Sequence, residues 1–235
     1  MSKFFSRLPK KVEYLETKNR KIYTPIPCDG SIDVLNMLDL YESRSMHGQI
    51  PLVWDRAKGF NIYDKAGNKW IDLTSTIFVA NIGHSNPYLI SKLKKILDSE
   101  LLHTYAYTNQ IRADYLKKLI KFSPDNFEKA FLLSAGTETT EAALKLMRMN
   151  GQKNNGNQKL GIICFEGNWH GRTMGAQMMG GNNKQKQWIG YQDPNIYHIR
   201  FPYPWILDKE KISPEEFIDN EIKKLIKDNN INLKN

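Results

Sequence analysis

The amino-acid sequence predicts an α/β protein, in which a mostly parallel sheet covered by helices follows an N-terminal arm and a small antiparallel hairpin. Short apolar runs typical of buried strands occur at residues 130–133, 160–165 and 196–201. Helix-length amphipathic segments stand between or after them, so the order from residue 130 is strand, helix, strand, strand, helix. That order is typical of a parallel sheet with helices on its faces.

The first third of the chain contains the arm, one helix and the hairpin. Residues 1–30 are polar and contain three prolines, which favours an extended arm. Ser31 is a candidate helix cap, and the apolar residues that follow it have a spacing close to a helical period: Ile32, Leu35, Leu38 and Met46. Residues alternate in polarity over 59–64 and 69–73, on either side of a turn at 65–68.

Four further helices are indicated by their end signals and by apolar spacing. Pro87 suits the first turn of a helix with one apolar face, and a second helix covers residues 111–120. A third helix covers residues 138–149. The last begins with Ser213 as cap, Pro214 at the first position and Glu216 as the partner in a capping box.

The composition excludes several classes of protein. The 235 residues are 40% hydrophobic and 25% charged, which is ordinary for a globular chain, and no apolar run approaches the length of a membrane helix. The net charge of +9 is spread over the chain, so a solvated lysine-rich surface is favoured over a nucleic-acid or membrane site. Two cysteines, no metal-ligand spacing and no secretory signal indicate a reducing cytoplasm.

The turn at Ser134-Ala135-Gly136-Thr137 is a candidate phosphate site. It follows a predicted strand and opens a helix, whose first backbone N–H groups and dipole favour an anion. Gly136 lets a ligand approach the backbone, and Thr137 adds a hydroxyl. Taken alone, the turn favours an ordinary strand-to-helix connection over a ligand site, and it lacks both the Walker and the dinucleotide-binding glycine patterns.

A second loop, residues 167–173, follows the next strand and is expected at the same edge of the sheet. Trp169 offers an aromatic face that can stack on a heteroaromatic ring, and Arg172 can hold a carboxylate through paired hydrogen bonds. The alternatives are a core tryptophan, a packed or solvated His170 and a surface arginine. Glycines on both sides make the loop tight, which weakens the core alternative.

Five blocks of residues carry a resemblance to a known family. They lie at residues 51–59, 70–73, 81–87, 134–145 and 169–173. In this order and spacing, the sequence resembles the class III, or ω-amino-acid, aminotransferases, which are pyridoxal-phosphate enzymes of fold type I. The resemblance covers about residues 45–205.

The resemblance implies a role for each matching position. It assigns Ser134, Ala135, Gly136 and Thr137 to the cofactor phosphate, with the backbone amides of the last two as the main donors. Trp169 matches the aromatic residue that stacks on the pyridine ring, usually Phe or Tyr, and His170 lies beside it. Arg172 matches an arginine that binds a substrate carboxylate in several members, and Ile77 matches a residue of the substrate pocket.

The resemblance also implies residues that we do not find in this sequence. The family's Schiff-base lysine and the acid that binds the pyridine nitrogen come later in the chain than Asn235, and Lys145 is not in the matching position. We therefore expect a fragment that lacks catalytic residues and is inactive by itself. Residues 1–82 would belong to the small domain and residues 83–235 to the first half of the cofactor-binding large domain.

The resemblance implies transamination between an amino acid or amine and a keto acid, by a homodimer when the protein is complete. Two alternatives stay open from the residues. One is another reaction of the same class III enzymes, such as an aminomutase, racemase or decarboxylase. The other is a non-catalytic split or truncated partner, and a basic binding module is the least favoured. The amino donor and acceptor are not indicated by the sequence.

Overall fold

The computed structural model describes residues 5–43, 50–153 and 159–231. These residues form two compact units, which divide between Asn109 and Gln110. The predicted helical spacing at Met46 lies outside the described residues. The family domain boundary expected after residue 82 is a separate question and stays a prediction.

The first unit contains an antiparallel sheet of five strands in the order β1-β2-β5-β4-β3. The strands are β1 (Leu15–Glu16), β2 (Lys21–Ile22), β3 (Trp54–Lys58), β4 (Asn61–Asp64) and β5 (Lys69–Ile71). The predicted hairpin is confirmed as β4 and β5, and its turn needs Gly67, whose φ is +86°. The sheet is larger than predicted because the arm supplies two short strands and residues 54–58 a third.

A buried polar cluster attaches the arm to the hairpin. The Asp64 carboxylate accepts hydrogen bonds from the backbone of Asn68 at 2.9 Å and from Trp70 Nε1 at 3.1 Å. The Asn68 side chain accepts from the backbone N–H of Tyr23 at 2.9 Å and donates to Asp64 at 2.8 Å. Because Asp64 and Asn68 are at most 1% exposed, these bonds satisfy groups that would otherwise be destabilising.

Three helices belong to the first unit: α1 (Ser31–Tyr41), the one-turn α2 (Ser75–Phe78) and α3 (Pro87–Leu97). The prediction of Ser31 as the cap of α1 is wrong. Gly30 is the cap, with φ of +74°, and Ser31 is buried with its Oγ 3.1 Å from Cys28 Sγ. The start predicted for α3 is confirmed, because Asn86 Oδ1 accepts from Tyr88 N at 3.0 Å and Pro87 occupies the first turn.

The second unit is built from helices and one parallel strand pair. Strands β6 (Ile162–Phe165) and β7 (Ile196–Ile199) pair in parallel, with Ile162 opposite Ile196. The helices are α4 (Gln110–Phe122), α5 (Gly136–Gln152), α6 (Met174–Met179), α7 (Asn183–Lys186), a 3₁₀ turn (Gln187–Ile189), α8 (Pro204–Glu210) and α9 (Pro214–Asn229). The core contains Ile162, Cys164 and Met179, with Leu144 and Ile196 packed against them.

The strand predicted at residues 130–133 is wrong for the described part of the chain. These residues have no strand assignment, and Phe131 is 69% exposed. A strand exists only when a neighbouring strand supplies hydrogen-bond partners, and none of the described strands pairs with this run. The α/β class is confirmed, but its described parallel sheet has two strands instead of three.

Candidate functional site

The first predicted loop forms the N-terminus of α5. Ala135 is the cap residue in an extended conformation, and its side chain makes no capping hydrogen bond. The Glu138 carboxylate accepts hydrogen bonds from the hydroxyl and, at 2.9 Å, from the backbone N–H of Ser134. These bonds hold the pKa of Glu138 below its ordinary value. The backbone N–H and the hydroxyl of Ser134 are therefore already bonded to Glu138.

The backbone N–H groups of Gly136 and Thr137 are the available donors at this helix end. Within the described residues, neither has a hydrogen-bond partner, as expected for the first turn of a helix. A Cβ added to Gly136 would meet nothing within 4 Å, so the space in front of the helix is open. The helix dipole of the 17-residue α5 adds positive potential at the same point. This arrangement suits an anion.

The second predicted loop begins two residues after β6 and depends on two glycines. Gly167 and Gly171 have φ of +71° and +137°, a region that other residues rarely adopt. Between them, Asn168 Nδ2 lies 2.9 Å from His170 Nε2, which orients the imidazole ring. Trp169 is 58% exposed, so the alternative of a core tryptophan does not hold in the described chain.

The two loops are in direct contact. A Cβ on Gly171 would lie only 2.4 Å from Thr137 Oγ1, so the absence of a side chain there permits the close approach. The hydroxyl of Thr140, one turn into α5, donates a hydrogen bond to the His170 carbonyl oxygen at 2.7 Å. The N-terminal end of α5 and the aromatic loop therefore lie against each other in the second unit.

Arg172 lies beside the aromatic ring of the same loop. Its Cζ atom is 5.4 Å from the centre of the Trp169 ring, which is within the range of a cation–π contact. Both side chains are exposed. A guanidinium held next to an aromatic face can receive a carboxylate while the face receives a flat ring.

Glu141 is a positioning residue that the sequence reasoning missed. It lies on α5, and its Oε1 accepts from the Thr173 hydroxyl and from Ala176 N at 3.0 Å. These bonds join α5 to the start of α6 and so fix the end of the second loop. The sequence contained a signal, because Glu141 lies in the block 134–145 that carries the resemblance. Only the fold shows which residues it binds.

Ile77 belongs to the first unit, and its relation to the two loops stays a prediction. It is 69% exposed and lies in α2, where all four residues have φ between +49° and +70°. A left-handed turn of non-glycine residues costs about 1–2 kcal/mol per residue. Asp72 stabilises it through hydrogen bonds from the backbone of Thr74 at 2.8 Å and of Thr76 at 3.1 Å.

The second unit therefore offers two free amides for an anionic tail, an exposed aromatic face for a flat ring and a guanidinium for a carboxylate. This donor set fits a phosphorylated pyridine such as pyridoxal phosphate, because the phosphate and the ring meet the groups they need within one pair of loops. The arrangement fits a class of protein, those that bind a phosphorylated aromatic cofactor.

Comparison with known proteins gives the particular family. The family model described as "Aminotransferase class-III" matches residues 42–233, most of the sequence. The chain belongs to the class III aminotransferase family.

Curated relatives agree with this family. The chain is 34% identical over 142 residues to the acetylornithine aminotransferase of Clostridium acetobutylicum, covering 60% of the chain and 36% of the relative. It is 30% identical over 175 residues to the diaminobutyrate–2-oxoglutarate aminotransferase of Haemophilus influenzae, covering 73% and 37%. The matched part therefore spans little more than a third of these relatives.

Solved structures show the same fold. The taurine:2-oxoglutarate aminotransferase of Bifidobacterium kashiwanohense, in complex with PLP and glutamate, superposes with a TM-score of 0.70 at 19% identity, covering 84% of this chain and 44% of that one. The ornithine aminotransferase of Toxoplasma gondii gives 0.65 at 20% identity, covering 77% and 43%. The fold is thus that of the pyridoxal-phosphate transferases of fold type I.

Two negative observations apply to the described residues alone. None of their helices is both long and apolar enough to cross a membrane. They also contain no group of three or more His, Cys, Asp or Glu side chains placed to hold a metal ion.

Proposed function

We propose that the protein is an aminotransferase that uses pyridoxal phosphate to move an amino group between an amino acid or amine and a keto acid. The single observation that carries the proposal is the contact between the helix end with two free amides and the loop with the exposed Trp169. When bound, pyridoxal phosphate supplies an electron-withdrawing ring that makes a proton of the substrate carbon removable.

The residues of the two loops divide the work of binding. Gly136 and Thr137 donate their backbone N–H groups to the phosphate, and the Ser134–Ala135 turn shapes its approach. Trp169 would stack on the ring, with His170, oriented by Asn168, beside it in the loop. Arg172 would bind the carboxylate of the substrate. The resemblance assigns Ile77 of the first unit to the substrate pocket.

An amino acid with a carboxylate is the favoured donor. Arg172 is the cation that accompanies the aromatic face, and its planar guanidinium matches a carboxylate through two parallel hydrogen bonds. Relatives with names such as ornithine aminotransferase and diaminobutyrate–2-oxoglutarate aminotransferase support a substrate of this kind with a 2-keto acid as acceptor. Every relative compared above is named for amine transfer, so the aminomutase, racemase and decarboxylase alternatives are less favoured.

These 235 residues are proposed to hold part of the catalytic machinery. No lysine among them occupies the family's Schiff-base position, and no acid occupies the position that binds the pyridine nitrogen. We propose that they bind the cofactor without turnover by themselves, as half of a site that is completed elsewhere. The complete protein is proposed to be a cytoplasmic homodimer, and the two buried free cysteines support a reducing compartment.

Binding at the helix end is tested with pyridoxine 5′-phosphate, which has the ring and the phosphate but no aldehyde. Gly136→Pro removes one N–H donor at the first helical position, where proline is tolerated and the extended Ala135 suits a following proline. We expect at least a tenfold loss of affinity by equilibrium dialysis, since a hydrogen bond to a charged group contributes about 1.5–3 kcal/mol.

Gly136→Ala is the matched control, because it keeps the N–H and its Cβ points into open space. We expect its affinity to stay well above that of the proline variant. Equal binding by the two variants would contradict the proposed phosphate site. Incubation of the 235-residue chain with pyridoxal phosphate, ornithine and 2-oxoglutarate tests catalysis, and sustained glutamate formation by this chain alone would contradict the half-site proposal.

A further inference from the structure

A cavity of about 620 Å³ lies in the second unit, next to β7 and α7. Its volume is in the range of small-molecule sites. Its walls include Ile196 and His198 of β7 and Met178, Lys186 and Ile189 of the segment before it. Thr137, Trp169 and Arg172 do not line it, so the cavity is distinct from the site between the two loops, although Gly167 borders both.

Lys186 is a buried amine without a carboxylate partner. It is 7% exposed, and its Nζ donates one long hydrogen bond, 3.4 Å, to the carbonyl oxygen of Met178. Within the described residues, no carboxylate forms an ion pair with it. Burial lowers the pKa of Lys186 because the charged amine loses its hydration and gains no ion-pair partner in the described residues. A larger fraction of this amine is therefore neutral and nucleophilic than for a lysine on the surface.

The titratable neighbours of Lys186 do not restore its charge. Cys164 of β6 is buried and its pKa is raised by burial, so it is a neutral thiol at neutral pH. The pKa of His198 is lowered by burial, so its ring is neutral as well. The carboxylates that line the cavity are Glu166, which is exposed, and Asp193, which is paired with Arg148 at 2.8 Å.

We propose that Lys186 forms a reversible imine with a small uncharged aldehyde that enters this cavity. The nitrogen lone pair attacks the carbonyl carbon and a C–N bond forms. The carbonyl oxygen takes the two protons of the amine and leaves as water, and the C=N bond remains. Atoms and charge balance without an oxidant or a reductant.

The walls select the kind of aldehyde. Met178, Ile189 and Ile196 provide apolar surface for a short hydrocarbon chain. Glu166 disfavours an anionic aldehyde, and among the residues that line the cavity Lys186 is the one cationic side chain, which the reaction consumes. A smaller hollow of about 230 Å³ also reaches Lys186, between Gln187 and Tyr191, and provides a second path for a small molecule.

The test is reductive trapping with butanal and cyanoborohydride on the 235-residue chain at pH 7, with the labelled lysines located by peptide mass spectrometry. Lys184 is the internal control, because it is exposed and lies two residues away on the same helix. We expect Lys186 to be labelled faster than Lys184, because burial lowers its pKa and leaves more of the amine neutral and nucleophilic. The preference should shrink as pH rises toward the ordinary pKa of surface lysines.

Two further probes examine the cavity without any change to the protein. A polymer-bound aldehyde cannot enter, so it should label Lys184 and leave Lys186 unlabelled. Pyridoxal phosphate, an anionic aldehyde, should label Lys186 no faster than Lys184. The proposal is overturned if butanal labels Lys186 no faster than Lys184, or if the polymer-bound aldehyde reaches Lys186. Lys186→Met should remove the fast label and leave that of Lys184 unchanged.

Discussion

Asp72 is a buried carboxylate whose ionisation stabilises the first unit. Its side chain is 4% exposed, and its Oδ2 lies 2.7 Å from His84 Nε2. Burial by itself raises the pKa of Asp72, but hydrogen bonds from His84, Thr74 and Thr76 lower it more, to about 2 from 3.8. A carboxyl group with a lowered pKa in the folded state contributes stability above its ordinary pKa. That contribution is lost as pH falls from about 4 to 2.

We expect Asp72→Asn to lower the free energy of unfolding by about 2 kcal/mol at pH 7 and by much less at pH 2. Urea denaturation at both values measures the difference. Asp208→Asn, at an exposed carboxylate of α8, is the control and should change stability little at either pH. An equal effect of Asp72→Asn at pH 7 and pH 2 would show that charge is not the cause.

Gly171 is the residue whose missing side chain lets the two loops touch. We expect Gly171→Ala to destabilise the protein by about 1–3 kcal/mol, because a Cβ there overlaps Thr137 and because its φ is unfavourable for alanine. Gly167→Ala is the control. Its φ is also positive but an added Cβ meets open space, so it measures the backbone contribution to the loss of stability. The added variant Thr137→Ala removes Oγ1 and Cγ2 but keeps the Cβ, which would lie 2.8 Å from a Cβ on Gly171. It should therefore recover part of the stability in Gly171→Ala and none in Gly167→Ala. Equal losses in Gly171→Ala and Gly167→Ala by urea denaturation would contradict the close approach of the two loops.

At the scale of elements, α9 is attached to β7 by one buried carboxylate. Glu221 of α9 accepts from the backbone N–H of Arg200 at 2.9 Å and from its guanidinium at 2.9 and 3.0 Å. Glu221 is 8% exposed, and Phe217 of the same helix is 1% exposed under the guanidinium. The helix therefore has both an apolar and a charged anchor to the residue that follows the strand.

Glu221→Gln tests this attachment. We expect the free energy of unfolding to fall by about 2 kcal/mol, because the change weakens three hydrogen bonds to a nearly buried group while half of Arg200 remains in solvent. Glu210→Gln is the matched control, since Glu210 binds the other side of the same guanidinium at 3.0 Å but is exposed. Its effect should stay below about 0.5 kcal/mol. Equal effects in urea denaturation would mean that burial is irrelevant here.

Helix ends were largely predictable because their signals are local. Asn86-Pro87 and Ser213-Pro214 begin α3 and α9 as expected, and Ser213 Oγ accepts from Glu216 N at 3.1 Å. The failures also have a local explanation. Gly30 replaces Ser31 as a cap because its left-handed backbone turns the chain into α1. The short helices α6, α7 and α8 were missed because they are too short to show a clear helical period.

At the scale of the whole molecule, large apolar surfaces support the proposal of a longer, dimeric protein. In the first unit, Leu89, Leu93 and Leu97 of α3 are exposed, and in the second unit so are Phe131, Leu132 and Leu133. Exposed apolar residues grouped within a unit favour contact with another surface. The solved relatives are more than twice as long as the part matched here, since the chain covers 44% of the taurine enzyme.

The candidate site was partly predictable for the same reason as the helix ends. A glycine turn that opens a helix and a tight aromatic loop after the next strand are patterns of neighbouring residues. Their contact was expected, because consecutive crossover turns of a parallel sheet meet at one edge. The role of Glu141 was not predictable, because it depends on which distant residue comes within about 3 Å.

The sequence by itself determined the family, the starts of α3 and α9, and the residues of the two loops, whereas α5 begins at Gly136, two residues before the predicted start. These depend on hydrogen bonds and dihedral preferences within a few residues. Only the tertiary structure decided that Thr137 lies against Gly171, that residues 130–133 have no described strand partner, and that Lys186, in the polar run Asn183–Lys186, is buried. Burial and strand pairing arise from contacts between residues far apart in the chain, so local spacing indicates candidates for them but does not determine which of these form.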